Sequence, residues 1–192
     1  MRKVLIGVLA MGLCVLGLGA MWIVRADDDD NTVKFTANLD GYQELGSLTN
    51  ETGAILTDGK GTLKLTLDKK GQSLSFVLTY SDLSAAVTQS HIHFGRVHTP
   101  GNIMVYFCSN LTTAPPGTQN CPPNGVAVTG TLSAGNVLAI AGQNVTAGDF
   151  DALTDALFSN SAYANIHTTK FPSGEIRGQI RLEGRRRDRD DK

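Results

Sequence analysis

The chain predicts an all-β fold, an antiparallel sandwich or barrel carrying one short helix. Three observations lead there: apolar residues that alternate at period two, turn signals at short spacing, and a single stretch with helical spacing. The first strand is Val33 to Leu39, where Val33, Phe35, Ala37 and Leu39 alternate with polar residues. The second is Gly61 to Leu67, with leucines on one face and Thr or Lys on the other. Asp68-Lys69-Lys70-Gly71 reads as a hairpin turn, and Ser73 to Tyr80 as the partner strand. Further strands are predicted at 87–94, 103–108, 126–132, 162–167 and 174–182. Thr146 to Phe158 departs from this pattern. It places Phe150, Leu153, Ala156 and Leu157 at helical spacing, with Thr146 or Asp149 as the N-cap and acids in the early turns. This short amphipathic helix is expected to pack over one end of the β structure, before the last two strands.

Composition sets the outer limits. Of 192 residues, 1–26 read as a targeting segment: Arg2 and Lys3, an uncharged apolar run from Val4 to Val24, then Val24-Arg25-Ala26 before Asp27 to Asp30. The apolar run is long enough to be either a cleaved signal peptide or an uncleaved N-terminal anchor. Cys14 lacks the preceding small residue of a lipid-attachment signal. Residues 27–32 form an acidic linker, 33–182 one domain, and 183–192 a charged, solvated tail. Setting aside Arg2, Lys3 and Arg25 leaves 14 basic against 18 acidic residues, a formal charge of −4. That balance argues against a nucleic-acid partner. The expected location is secreted, periplasmic or cell-envelope, and membrane contact is expected only through an uncleaved leader.

Two cysteines follow the leader, Cys108 and Cys121. In an oxidising compartment they most simply form a disulfide around a loop holding Pro115, Pro116 and Gly117. Closing a loop that short contributes roughly 3 kcal/mol in the chain-entropy model. The competing reading, a Cys/His metal site, lacks the close-spaced ligand pairs of a zinc module.

Histidine placement supplies the candidate chemistry. In a strand, His91 and His93 share a face, about 7 Å apart at Cα, with Ile92 on the other. His167 shares a face with Asn165, opposite Ile166. If the two strands are neighbours, three imidazoles converge, and neutral imidazole suits zinc or copper. The same residues are equally a buried polar network, or the site of another ligand. Glu175 and Arg177 lie i,i+2 on one strand face. They read either as an ion pair worth about 0–1 kcal/mol or, in the case of Glu175, as a carboxylate that orients His167 behind a metal. Gly174 is expected in the turn before the last strand, and Gly178 where another element approaches closely. His98 lies in a loop; it is either a fourth ligand or a solvated side chain. No nucleophile elbow or Gly-rich phosphate loop is present, so no catalytic residue is assigned. Asn50, Asn110 and Asn144 begin Asn-x-Thr acceptor patterns.

His91-Ile92-His93, His167-Thr168 and Pro172-Ser173-Gly174-Glu175-Ile176-Arg177-Gly178-Gln179, with the helix before Tyr163 and the opening Gly41-Tyr42-Gln43-Glu44, resemble the chordin-type (CHRD) domain. The resemblance covers roughly residues 33–182. It implies a secreted, immunoglobulin-like β-sandwich serving as a binding or structural module for an extracytoplasmic protein or surface ligand, with no defined catalytic activity. The chain departs from the family pattern in the Cys108–Cys121 loop, Phe94 and His98. It also lacks the cysteine-rich repeats of the animal proteins that bind growth factors. A β-sandwich with His-x-His is similar in outline to Cu/Zn superoxide dismutase, but four histidines are too few for that dinuclear site.

Overall fold

The computed structural model describes residues 31–45 and 53–184. The leader, most of the acidic linker, Asn50 and the last eight residues lie outside the described residues. Nine strands form in chain order: β1 (Thr32–Asp40), β2 (Lys60–Asp68), β3 (Ser73–Ser81), β4 (Val87–Phe94), β5 (Asn102–Ser109), β6 (Val128–Leu132), β7 (Ala162–Thr168), β8 (Ile176–Gln179) and β9 (Arg181–Leu182). The helix α1 (Phe150–Phe158) lies between β6 and β7. Asp149 is its cap, accepting a hydrogen bond from the Ala152 amide. Phe150, Leu153, Ala156 and Leu157 are its buried face.

The alternation in β1, β2 and β3 does what it predicts. Phe35, Ala37 and Leu39, Leu63, Leu65 and Leu67, and Leu74, Phe76, Leu78 and Tyr80 fill one apolar core, while the intervening Thr, Lys and Ser stay outside. Asp68 caps the β2–β3 turn by accepting from the Lys70 and Gly71 amides. Gly178 is required for packing, because a Cβ there would run into the Asn38 carbonyl.

The expected immunoglobulin-like sandwich is corrected. All pairings are antiparallel, and the strands follow the order β5-β4-β7-β8-β1-β2-β3-β6 in one sheet, with β9 also on β1. A sandwich needs two ladders facing each other. Here β8 pairs with both β7 and β1, so the ladder never breaks and the sheet curls into a nearly closed barrel. The open seam lies between β5 and β6. Gln119, at the end of the loop bounded by the cysteines, bridges it: its Nε2 donates to the Phe107 carbonyl in β5 and the Thr129 carbonyl in β6, both at 3.1 Å. Cys108 and Cys121 are disulfide-bonded, with Cα atoms 4.9 Å apart, so neither thiol is free to ligate a metal. The single strand expected over 174–182 is interrupted at Ile180, whose amide reaches the Ala162 carbonyl.

Candidate metal centre

Strands β4 and β7 are direct neighbours in the sheet. His91 pairs with Asn165, and Gln89 with His167. Ile92 and Ile166 point into the barrel core, so alternation turns His91, His93, Asn165 and His167 to the opposite face. That face is not solvent. His91 is 0% exposed, His93 and His167 are 7% exposed, and Arg177 and Gln179 beside them are also buried.

Segments outside the sheet cover this face, and polar side chains fasten them by their carbonyls. Arg177 Nη2 donates to the Arg96 carbonyl at 3.0 Å and the Thr99 carbonyl at 2.9 Å. Gln179 Nε2 donates to the carbonyls of Gly95 and Asn160. His93 Nδ1 meets the Gly101 carbonyl at 2.9 Å, and His167 Nδ1 meets the Pro172 carbonyl at 2.9 Å. On the other flank β5 runs against β4 with two register shifts. Phe107 and Met104 are the extra residues, and the shifts set Tyr106 opposite His91. The Tyr106 ring then meets His91 edge to face at 4.3 Å.

The three imidazoles form a cluster around His91, with ring centroids 5.3 Å from His91 to His93 and 5.0 Å from His91 to His167. One ring nitrogen from each lies within 4.8 Å of the others. Three points so spaced lie within 4.8/√3, about 2.8 Å, of a common centre. A zinc–nitrogen bond is about 2.0–2.1 Å, so side-chain rotations that close less than about 1 Å would bring all three to one ion.

Burial keeps the rings neutral. It pushes the His91 pKa down to about 2, with the charges of His167 and His93 acting in the same direction. Burial likewise lowers His93 to about 4, against an opposing pull from the Gly101 carbonyl. His167 is also lowered by burial, opposed by the Pro172 carbonyl. A neutral ring has one N–H, and a carbonyl can only accept, so Nδ1 carries the proton in His93 and His167. Nε2 then carries the lone pair in both rings. That of His93 lies 3.0 Å from Asn165 Oδ1; two acceptors do not bond each other, so the amide is assigned flipped, with its NH2 toward the ring, and His93 gives up that hydrogen bond when it ligates. His167 Nε2 and both nitrogens of His91 are buried with no partner at hydrogen-bond geometry, although the Asn165 side chain is close enough to His91 to pull its pKa upward against burial.

The flanking residues only partly follow the sequence expectations. Asn165 does touch His93. Glu175 does not orient His167: its Oε1 accepts from Thr57 Oγ1 at 2.6 Å and the Ser84 amide at 2.8 Å, and its Oε2 from Thr168 Oγ1 at 2.7 Å. Glu175 stands before β8 begins, after Gly174 at φ +127, so strand alternation does not reach it. The Pro172 carbonyl takes the orienting role instead. Arg177 is likewise no simple partner of Glu175. Its guanidinium lies 3.4 Å over the Tyr163 ring, whose plane is parallel to His93 at 4.8 Å. Period-two counting back from His167 finds Tyr163; nothing in the sequence marks the carbonyls of Gly101 and Pro172. His98 is exposed in its loop at φ +57 and stands apart from the cluster.

The family model of the CHRD domain matches residues 35–180, most of the chain. The chain belongs to the CHRD domain family. No curated protein and no solved structure matches it. Membership suggests a binding or structural module. CHRD domains occur in extracellular proteins, and the Cys108–Cys121 disulfide fits an oxidising compartment. Among the described residues no helix is long and apolar enough to cross a membrane. Asn110 is engaged inside the CHRD fold: its amide bonds Val87, and bonds Cys121 through both its oxygen and its nitrogen. Both described acceptor asparagines, Asn110 and Asn144, are exposed, but the Asn110 side chain is held by these hydrogen bonds.

Proposed function

We propose that this CHRD domain is an exported binding module that holds one transition-metal ion, zinc or copper, through His91, His93 and His167. One observation carries the reading: three imidazole nitrogens, two on His91 and Nε2 of His167, are buried with no hydrogen-bond partner. An unsatisfied buried polar atom costs about 1–3 kcal/mol, and native folds rarely tolerate several together. A purely structural polar network would be expected to pair them. A metal ion bound by one nitrogen of His91 and by His167 Nε2 removes that cost at two of the three atoms. In two of the three rings the opposite nitrogen already donates to a backbone carbonyl, the arrangement that fixes the tautomer of a ligating histidine. Asn165 and Tyr163 hold His93 in place, and Arg177 acts through Tyr163. The module would serve an extracytoplasmic protein or surface ligand.

Calorimetric titration of chelator-treated protein with zinc, cupric ion and, anaerobically under reductant, cuprous ion tests the reading. One equivalent should bind at micromolar affinity or tighter. Binding should survive His98→Ala and vanish in His91→Ala/His93→Ala. Absence of binding heat from a folded protein would leave the structural network as the surviving account.

A further inference from the structure

We infer that the ion this site selects is monovalent copper rather than a divalent metal; this rests on the metal reading above. The argument is one of charge and coordination number. Three neutral imidazoles add no negative charge, so a divalent ion would leave a net +2 in a buried site and a cuprous ion a net +1. The cost of burying a charge grows with its square, so the divalent complex carries about four times the penalty. Buried divalent ions are ordinarily offset by carboxylate or thiolate ligands.

Nothing near the triad supplies that offset among the described residues. No Asp, Glu or Cys joins the three histidines. Both Glu175 oxygens are occupied by Thr57, Ser84 and Thr168. The Glu44 carboxylate acts on Arg177 and Tyr163. The cysteines are joined to each other. The full charge that bears on His93 from outside the triad is a cation, the guanidinium of Arg177, stacked over the Tyr163 ring. Although partly offset by the Glu44 carboxylate, it repels a divalent ion twice as strongly as a monovalent one.

Coordination number points the same way. Zinc in a protein is almost always four-coordinate; among the described residues no fourth His, Cys, Asp or Glu joins the triad, so zinc would need a water as its fourth ligand in a site where His91 is fully buried. A cuprous ion is complete with three imidazoles in a plane. Tyr106 lies against His91, and His91 is fully buried, which keeps the centre dry and protects the reduced ion.

The test uses the full purified protein. Cuprous affinity is measured anaerobically under ascorbate by competition with bicinchoninate, and zinc affinity by competition with a chromophoric zinc chelator. The expected result is a cuprous dissociation constant at least about 1,000-fold below that for zinc. X-ray absorption should report three nitrogen neighbours around the copper. Asn165→Asp, which sets a carboxylate 3.0 Å from His93 Nε2, should narrow the preference by about tenfold or more by strengthening zinc binding. Circular dichroism confirms that the variant is folded. Zinc binding equal to or tighter than cuprous binding in the unmodified protein overturns this inference and leaves the metal reading standing. A ratio unmoved in folded Asn165→Asp overturns the charge argument. Failure of both ions to bind the folded protein removes the inference and the metal reading together.

Discussion

Acidification from pH 7.5 to pH 5 should weaken the metal-free protein through its buried histidines. In the unfolded chain each histidine takes up a proton near pH 6.5. In the folded protein His93 resists until about 4 and His91 until about 2. Between these values the unfolded state binds more protons, so stability falls as pH falls. The contribution is fully present above about pH 7, declines from 6.5 downward, and for His93 levels off below about 4. Each pH unit costs about 1.4 kcal/mol per histidine. At pH 5 the two together therefore remove about 4 kcal/mol, a large share of the roughly 5–15 kcal/mol that holds a typical domain together. Burial raises the pKa of Glu175, but its hydrogen bonds to Thr57, Ser84 and Thr168 outweigh burial and hold it below the usual carboxylate range. The window from pH 7.5 to 5 thus isolates the imidazoles. Urea unfolding of chelator-treated protein at pH 7.5, 6 and 5 measures the loss. A free energy flat across that range would refute the reasoning. So would an equal decline in a folded His91→Gln/His93→Gln variant, which cannot titrate at those positions.

Two further outcomes follow from the same geometry. Glu175→Gln removes the charge from three hydrogen bonds that tie Thr57, Ser84 and Thr168 to one point; denaturant melts should show a loss of about 1–3 kcal/mol, with metal affinity unchanged because the carboxylate does not touch the triad. Reduction of Cys108–Cys121, or Cys108→Ser/Cys121→Ser, should cost about 3 kcal/mol by the entropy of loop closure; hydrogen exchange should rise first at the β5–β6 seam, where Gln119 at the end of that loop bridges the two edges.

Much of this fold was legible because strand alternation is local. β1, β2 and β3 lie where the leucine pattern puts them, β4 spans the predicted 87–94, and the helix begins at the Asp149 cap. The identities of the three candidate ligands were legible for the same reason: His91 and His93 share a face by periodicity, and His167 stands opposite its own core isoleucine. Sandwich and barrel were not distinguishable at that level. Both are built from the same alternating strands, and the difference lies in whether β8 completes a ladder to β1 as well as to β7.

The sequence by itself determined which residues face which side of each strand, because side-chain direction follows from backbone geometry alone. It favoured a Cys108–Cys121 disulfide over a Cys/His metal site, and the structure forms that bond. Only the tertiary structure decided that the second face of β4 and β7 is buried. Alternation marks a polar face, and a polar face is ordinarily wet; here Arg177 and Gln179 bind carbonyls of a segment remote in sequence, and His93 and His167 bind carbonyls in the loops that follow their own strands, drawing these segments over the sheet. Such backbone partners leave no mark on strand alternation. They turn three ordinary histidines into neutral, partly unpartnered imidazoles within reach of one ion.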